Sequence, residues 1–243
     1  MKTLVFDVWA DYGHFRKYYT TSSPLTFSLP PPPTIAGMLG AIIGSPKDRY
    51  LEDFSLLRMY LGIGLRKPVR KVRMGINLIN TKDNYWQPVK KGLHEPRTQI
   101  RTEFLYQPHF RIYVHHQEPK IFDRLAEMVK EHRSYFTLSM GLSELLADFQ
   151  WVGLFESELK PVKTEKVSSV IPESYLTGKN LQIEPERRYG KEKIPVYMIA
   201  GRIVEKYEHV IFETEGKDLT IGPNPEKQII VLENGEKFCF FSP

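Results

Sequence analysis

Ten basic side chains lie between Arg66 and Arg101, where only Asp83 and Glu95 oppose them. This segment carries a formal charge of +8, although the whole chain carries only +5. Positive charge concentrated in this way can bind phosphate groups and is typical of a surface that binds a polyanion. The alternative is a solvated basic face without a partner. The residues expected to contact phosphates are Arg66, Lys67, Arg70, Lys71, Arg73, Lys90, Lys91, Arg97 and Arg101.

A second candidate site is the polar and aromatic loop between Asp11 and Pro24. Basic side chains beside aromatic rings suit a single-stranded nucleic acid, because the charges follow the phosphates while the rings stack on bases. The loop residues that we expect at such an interface are His14, Arg16 and Lys17, which precede Tyr18 and Tyr19.

Four prolines, Pro30 to Pro33, precede a short apolar segment that contains Gly37, Gly40 and Gly44. We expect a helix capped by Thr34, whose first N–H groups would face an anion such as a phosphate. Each glycine costs a helix about 1 kcal/mol relative to alanine, so a close neighbour or a ligand must compensate. A helix packed tightly on a sheet explains the pattern equally well. The residues expected at an interface here and in a later glycine loop are Thr34, Ile35, Gly37, Gly141 and Ser143.

Metal-free cleavage of RNA requires a general base near the 2′-hydroxyl and an acid for the leaving oxygen. Tyr113 and His115 are two positions apart on one predicted strand and so share a face, whereas His116 faces the other side. A histidine at a strand end is more often a structural group than a base. The chain has none of the spacings typical of a zinc site, a phosphate-binding loop or a nucleophile elbow. We therefore expect no catalytic residues, no metal and no cofactor.

The elements that must position these residues alternate along the chain. Apolar residues at every second position predict a strand over Thr3–Trp9, and apolar residues at helical spacing predict a helix over Pro119–Arg133. Further strands are predicted at Leu56–Leu65, Arg97–Tyr106, Phe110–His116 and Tyr135–Met140. The order of strand, helix, strand, basic insertion, strand, helix and strand predicts an α+β fold of the ferredoxin-like, split βαβ type. The insertion at about residues 66–106 is expected to form a protruding β-hairpin.

We expect two structural units, a ferredoxin-like domain at residues 1–159 and a small all-β unit at residues 160–243. Asn234 and Gly235 predict a hairpin turn between the last two strands. The single cysteine, Cys239, excludes an internal disulfide and is typical of a reducing cytoplasm. No apolar run is long enough to cross a bilayer, so we expect a cytoplasmic protein without a membrane partner.

Three motifs together resemble the CRISPR-associated Cas-five family. They are the basic loop after Gly13, the run Pro-Pro-Thr-Ile-x-Gly-Met-Leu-Gly-Ala-x-x-Gly, and the later Leu-Ser-Met-Gly-Leu-Ser-Glu. The likeness covers the N-terminal two-thirds of the chain and is closest to the subunit of type I-B Cascade. It implies an RRM-like (RAMP) palm with a thumb formed by Arg66–Arg101. It also implies a role in antiviral defence, in which the subunit caps the 5′ handle of the CRISPR RNA. The implied protein partners are the repeated backbone subunit and the large subunit, with target DNA reached through the complex.

The resemblance also implies roles for individual residues. Thr34, Ile35 and Gly37 would lie beside the RNA handle, and Gly141–Glu144 matches the family's glycine-containing loop. One branch of the family, in type I-C systems, cleaves precursor RNA with tyrosine, lysine and histidine residues, but no lysine here completes such a set. The resemblance therefore favours a non-catalytic subunit. The alternatives are a metal-independent endoribonuclease that processes precursor CRISPR RNA, and an adaptor whose apolar helix Ile35–Ile43 docks on another protein.

Overall fold

The computed structural model describes residues 1–79, 97–178 and 180–243. Within these ranges the α-helices are α1 (Pro32–Ile43), α2 (Tyr50–Asp53) and α3 (Pro119–Lys130). The strands are β1 (Lys2–Ala10), β2 (Tyr12–Gly13), β3 (Met59–Leu65), β4 (Lys71–Ile79), β5 (Arg97–Tyr106), β6 (His109–His116), β7 (Ala147–Val162), β8 (Glu165–Val167), β9 (Ile171–Pro172), β10 (Leu181–Gln182), β11 (Tyr189–Ile199), β12 (Ile203–Glu213), β13 (Leu219–Ile221), β14 (Asn224–Leu232) and β15 (Lys237–Phe238).

The main sheet has six strands in the order β15-β14-β7-β1-β6-β3, and every neighbouring pair is antiparallel. It curls, because residues after β15 return to β3: the Phe241 N–H donates to the Leu61 carbonyl at 3.0 Å. The fold is therefore a mixed α and β structure with few helices in its described part. Three smaller sheets have the orders β2-β5-β4, β11-β12-β9 and β10-β13-β8.

The predicted strand at Thr3–Trp9 is confirmed, and both of its faces are buried. Leu4, Phe6 and Val8 belong to the core that α1 and α3 complete. Val5, on the opposite face, packs with Tyr113 and with side chains of β14 and β15. Full burial of one such side chain contributes roughly 1.5–3 kcal/mol to stability. The apolar side chains packed on each face of β1 therefore both stabilise the sheet.

The C-terminal segment supplies many of the side chains that pack with Val5 and Tyr113. The predicted turn at Asn234 and Gly235 is confirmed, and Gly235 has a φ of +88°. Cys239 is buried. The predicted domain boundary at residues 159 and 160 lies inside β7, and β14 pairs with that strand. Residues on both sides of this boundary therefore share one sheet.

The strand predicted at Tyr135–Met140 is wrong. That segment forms only an isolated bridge between Ser139 and Leu146, and the strand beside β1 is β7. The backbone N–H groups of Tyr135 and Phe136 instead donate to carbonyls in the last turn of α1, at 3.0 and 2.9 Å. Because helix ends leave carbonyls without partners, this segment caps the helix rather than joining the sheet.

Candidate nucleic-acid interface

A groove of about 360 Å³ lies beside the first turns of α1. One wall is α1 itself, the second is the segment that precedes and includes Gly141, and the third is the turn between β11 and β12. The lining residues are Pro33, Thr34, Gly37, Met38, Ala41, Tyr50, Thr137, Leu138, Ser139, Gly141, Met198 and Arg202. The groove thus joins four parts of the sequence, since Tyr50 of α2 also lines it, and they include the helix and the glycine loop that the motifs singled out.

The prediction that Thr34 caps α1 is wrong, because the capping residue is Pro31 and Thr34 lies inside the helix. The expectation of unpaired N–H groups is wrong too. Pro32 and Pro33 have no N–H. The N–H groups of Thr34 and Ile35 both donate to the Pro31 carbonyl, at 2.8 and 3.1 Å. The helix start can therefore offer the groove the Thr34 hydroxyl and the positive end of the helix dipole, but no free amide from these positions.

The glycines of α1 differ in what they contact. A methyl group at Gly40 would lie 2.8 Å from the Tyr50 Cβ, and one at Gly44 would lie 2.7 Å from the Tyr135 ring. A methyl group at Gly37 would meet nothing closer than 3.6 Å. Gly40 and Gly44 therefore allow neighbouring segments to approach the helix, whereas Gly37 faces the groove. Ile35 is buried in the core and cannot contact a ligand directly in this structure.

Gly141 forms the opposite rim of the groove and has a φ of +101°. A Cβ built on it would lie 2.0 Å from the His14 carbonyl oxygen. The His14 N–H donates to the Met140 carbonyl at 2.9 Å, so the two segments lie backbone against backbone. Only glycine fits this approach, which explains the residue without invoking a ligand.

Replacing Gly141 with alanine is expected to lower the free energy of unfolding by about 3 kcal/mol, because backbone strain and a steric clash add. Gly235→Ala is the matched control, since Gly235 also has a positive φ but no atom within 4 Å of the built Cβ. That control should lose only about 1–2 kcal/mol. Urea unfolding of both variants measures the difference, and equal losses would exclude the proposed clash.

His14 is buried, and its Nδ1 lies 2.7 Å from the Glu103 carbonyl oxygen. Burial lowers the pKa of His14 below its usual value, which favours the neutral ring as a hydrogen-bond donor to that oxygen. His14 therefore cannot contact a ligand directly in this structure. Its position links β5 to the glycine loop and so connects the groove with the strands of the basic segment.

The strands β4 and β5 of the basic segment pair in antiparallel register from Lys71 opposite Leu105 to Ile79 opposite Arg97. Directly opposed residues in such a pair point to the same face, and every second pair shares that face. Arg73 pairs with Glu103, and Gly75 pairs with Arg101. One face therefore carries the basic side chains Lys71, Arg73, Arg101 and Arg97, and we call it the basic face.

Two of the predicted phosphate ligands, Lys17 and Lys71, share one carboxylate partner. The Lys17 and Lys71 ammonium groups lie 3.0 and 3.4 Å from the Glu192 carboxylate, which also accepts hydrogen bonds from Ser28. Burial opposes ionisation of Glu192, but Lys71, Ser28 and Lys17 together hold its pKa below the usual range. These lysines therefore fasten the loop after His14 and the base of β4 to β11.

The remaining basic residues of this region are exposed. The Arg73 guanidinium lies 3.3 Å from Glu103 but stays open to solvent. Arg16 donates to the carbonyl of Thr20, and the Ser143 hydroxyl donates to Glu144. The predicted ligands Lys90 and Lys91 lie outside the described residues. Between Arg66 and Arg101, the exposed cations that form no ion pair with the described part of the chain are Arg66, Lys67, Arg70, Arg97 and Arg101.

The candidate acid–base residues are not presented together at the surface. Tyr113 is fully buried and stacks on Phe238 at a centroid distance of 4.6 Å. Burial raises the pKa of its hydroxyl, which has no hydrogen-bond partner among the described residues. The His115 Nδ1 lies 2.6 Å from the Lys2 carbonyl oxygen, and His116 is buried. In the described ranges no group of three or more metal-ligating side chains gathers into a cluster.

Sequence reasoning missed Arg202 and Met198, which form the third wall of the groove. Arg202 is exposed, has a φ of +61° and forms no ion pair with the residues that the structure describes. A lone arginine in a region of mixed composition gives no sequence signal. It becomes part of the site only because the turn between β11 and β12 reaches the helix.

None of the helices in the described ranges is long and apolar enough to cross a membrane. The profile of the family described as "CRISPR-associated protein (Cas_Cas5)" matches residues 3–213. This match confirms the family that the motifs indicated. Among curated proteins, no match was found.

Solved structures with a similar fold include a CRISPR protein from Archaeoglobus fulgidus. It is 17% identical, with a TM-score of 0.57 and 98% of each chain covered. A chain of a CRISPR RNA-guided surveillance complex is 11% identical, with a TM-score of 0.50 and coverage of 88% of this chain and 91% of that one. At these identities the likeness concerns the fold.

Proposed function

Because the chain belongs to the CRISPR-associated Cas5 family, we propose that it is a non-catalytic RNA-binding subunit of a type I CRISPR surveillance complex. In this role it holds the 5′ handle of the CRISPR RNA. The observation that carries the proposal is the row of exposed arginines on the basic face. Exposed guanidinium groups on a two-stranded ribbon bind phosphates without reading the sequence of bases.

The groove and the basic face are physically connected, which supports one continuous RNA path. Glu103 on β5 accepts the hydrogen bond from His14, and His14 lies against the loop at Gly141. In the groove, Thr34 and Arg202 provide a hydroxyl and a cation for phosphate oxygens. The RNA backbone would thus pass from the groove to Arg97 and Arg101.

We interpret β1, β3, β6 and β7, with α1 and α3, as a ferredoxin-like palm and β4–β5 as its thumb. β1–α1–β3 and β6–α3–β7 are two strand–helix–strand units. The order β7-β1-β6-β3 places one strand of each unit between the two strands of the other. This interleaving supports the interpretation as a split βαβ palm of the RAMP type.

The partners in this proposal are the backbone subunit and the large subunit of a type I-B complex, with target DNA reached through the assembly. The similar fold of a chain from an RNA-guided surveillance complex supports membership in such a particle. Tyr135, Phe136 and Leu146 are exposed apolar side chains in the segment after α3, and such residues are typical of protein contacts.

Co-expression of the chain with neighbouring CRISPR-associated subunits and a CRISPR array tests this function. We expect RNA in the purified particle, with ultraviolet crosslinks to peptides that contain Thr34–Gly37 and Arg97–Arg101. A well-assembled particle without RNA, or crosslinks confined to other peptides, would contradict the proposal.

Incubation of the purified chain with repeat RNA in EDTA separates this function from that of a metal-independent endoribonuclease. A binding subunit leaves the RNA intact. Specific cleavage that is lost in His115→Ala would favour the endoribonuclease. Assembly that needs the apolar helix but is indifferent to RNA would favour the adaptor.

A further inference from the structure

Three tyrosine rings form a cluster at the surface near the base of the basic face. Tyr18, Tyr19 and Tyr207 are 53%, 60% and 37% exposed. The rings of Tyr18 and Tyr19 have centroids 5.2 Å apart, and those of Tyr18 and Tyr207 lie 4.8 Å apart. We call these three residues the tyrosine cluster. Its exposure requires an explanation, because large aromatic side chains gain from removal from water.

The structure holds the cluster in place from both sides. The loop that carries Tyr18 is tied down by hydrogen bonds from the Lys17 N–H to the Leu25 carbonyl and from the Phe27 N–H to the Phe15 carbonyl, both 2.8 Å. Tyr207 lies on β12, opposite Pro195 of β11. The ion pair of Lys17 with Glu192 joins the loop to β11, so residues far apart in sequence form one surface.

Positive charge accompanies these rings. The Lys193 ammonium lies 5.8 Å from the centre of the Tyr207 ring, a cation–π distance. Arg16 is exposed on the same loop as Tyr18. Rings combined with cations are complementary to a nucleotide, whose base stacks while its phosphate is neutralised.

The position of the cluster links the two parts of the proposed RNA path. The hairpin of β11 and β12 carries Tyr207 in its middle and the groove residue Arg202 at its turn. Tyr207 lies four positions after Ile203, the first residue of β12, and four steps along a strand correspond to about 13 Å. On the other side, Glu192 connects the loop of Tyr18 to Lys71 at the base of β4. An RNA strand between groove and basic face would pass the cluster.

We propose that the tyrosine cluster stacks an unpaired base of the bound RNA, and that Lys193 neutralises a neighbouring phosphate. The proposal rests on the RNA-binding function above and adds a base-stacking site to it. Stacking on these rings tolerates any base, since every base presents a π face. The cluster would therefore strengthen binding without selecting a sequence.

The test uses the full chain and a short oligouridylate that carries one 2-aminopurine, a base whose fluorescence falls when it stacks. We expect quenching on binding to the natural protein. The double variant Tyr18→Leu with Tyr207→Leu should bind about tenfold more weakly, equivalent to about 1.4 kcal/mol, and should lose the quenching. Tyr18→Phe with Tyr207→Phe should retain both, because a phenyl ring still stacks.

Ile183→Ala is the control, since Ile183 is also a large exposed apolar side chain but belongs neither to the tyrosine cluster nor to another proposed interface. The stacking site would be overturned if the leucine double variant bound RNA as tightly as the natural protein and if the natural protein caused no quenching. RNA binding itself would then remain intact. Absence of any RNA binding by the natural protein would remove the proposed function as well. A leucine variant that binds RNA normally but fails to assemble with other subunits would assign the cluster to a protein contact and overturn the proposal.

Discussion

Replacement of Arg97 and Arg101 by alanine is expected to weaken RNA binding about 100-fold at low salt. The reason is that each exposed guanidinium that no longer pairs with a phosphate costs about 1.4 kcal/mol or more. Both side chains lie on the basic face and form no ion pair with the described residues, so their removal leaves no buried charge behind. The dependence of affinity on salt should also become shallower, by about 0.7 in the log–log slope for each phosphate that is no longer neutralised.

Fluorescence anisotropy with labelled repeat RNA, measured at several salt concentrations, provides both quantities. Lys120→Ala with Arg124→Ala is the matched control, because it removes the same charge from exposed positions on α3. If the two double variants weaken binding equally, the effect is one of net charge, and the assignment of the basic face fails. Lys71 is unsuited to this experiment, because it also fastens β4 to Glu192.

Replacement of Arg111 by leucine is expected to lower the free energy of unfolding by about 3–5 kcal/mol at neutral pH, because it leaves the buried carboxylates of Asp7 and Glu236 without their guanidinium partner. The Arg111 guanidinium donates two hydrogen bonds to Asp7, at 2.8 and 3.0 Å, and a third to Glu236 at 2.9 Å. All three side chains are largely buried on the sheet face opposite α1 and α3. Urea unfolding measures the loss.

Arg58→Leu is the control for this variant. Arg58 pairs with Glu52 at 3.7 Å, but both side chains are exposed, so its loss should cost less than about 1 kcal/mol. A similar small loss for Arg111→Leu would show that the buried cluster contributes little to stability.

The pH dependence of the Arg111 variant follows from Asp7. Burial opposes ionisation of Asp7, but the nearby His109 ring, whose Nε2 lies 3.6 Å from the Asp7 Oδ2, and the hydrogen-bonded Arg111 guanidinium lower its pKa from 3.8 to about 2. A carboxyl with a lowered folded-state pKa stabilises the protein above the unfolded value, and this contribution is lost as the pH falls towards 2. We therefore expect the stability gap between the natural protein and Arg111→Leu to narrow between about pH 4 and pH 2, as Asp7 is protonated. A gap that stays constant over this range would exclude the ion pair as its cause.

Local patterns in the sequence predicted several elements well. Apolar residues at every second position of Thr3–Trp9 indicate a strand, because successive side chains of a strand face opposite sides. The apolar spacing after Pro119 likewise reports α3, and Asn234 with Gly235 reports a turn through their tolerance of a positive φ. The excess of basic residues in the insertion can also be counted directly in the sequence, because charge does not depend on the fold. In each case the information lies within a few consecutive residues.

The same local reasoning failed where distant segments compete for one backbone. The alternating residues from Tyr135 to Met140 read as a strand, but the N–H groups of Tyr135 and Phe136 bond to the end of α1. Thr34 has the chemistry of a helix cap, yet two prolines before it place the start of the helix at Pro32. A hydrogen-bond partner far away in sequence therefore overruled the local preference of the first segment, whereas adjacent prolines overruled that of Thr34.

Residue chemistry along the chain was enough to indicate a family and a basic surface, because charge and glycine patterns are local properties. Which cations remain available to a ligand was decided by folding. Lys17 and Lys71 are neutralised by Glu192, more than a hundred residues later in the chain, while Arg97 and Arg101 stay exposed. Arg202 and Tyr207 join the candidate interface only through the packing of β11 and β12. Such pairings depend on contacts between remote segments, for which no short window of sequence carries the information.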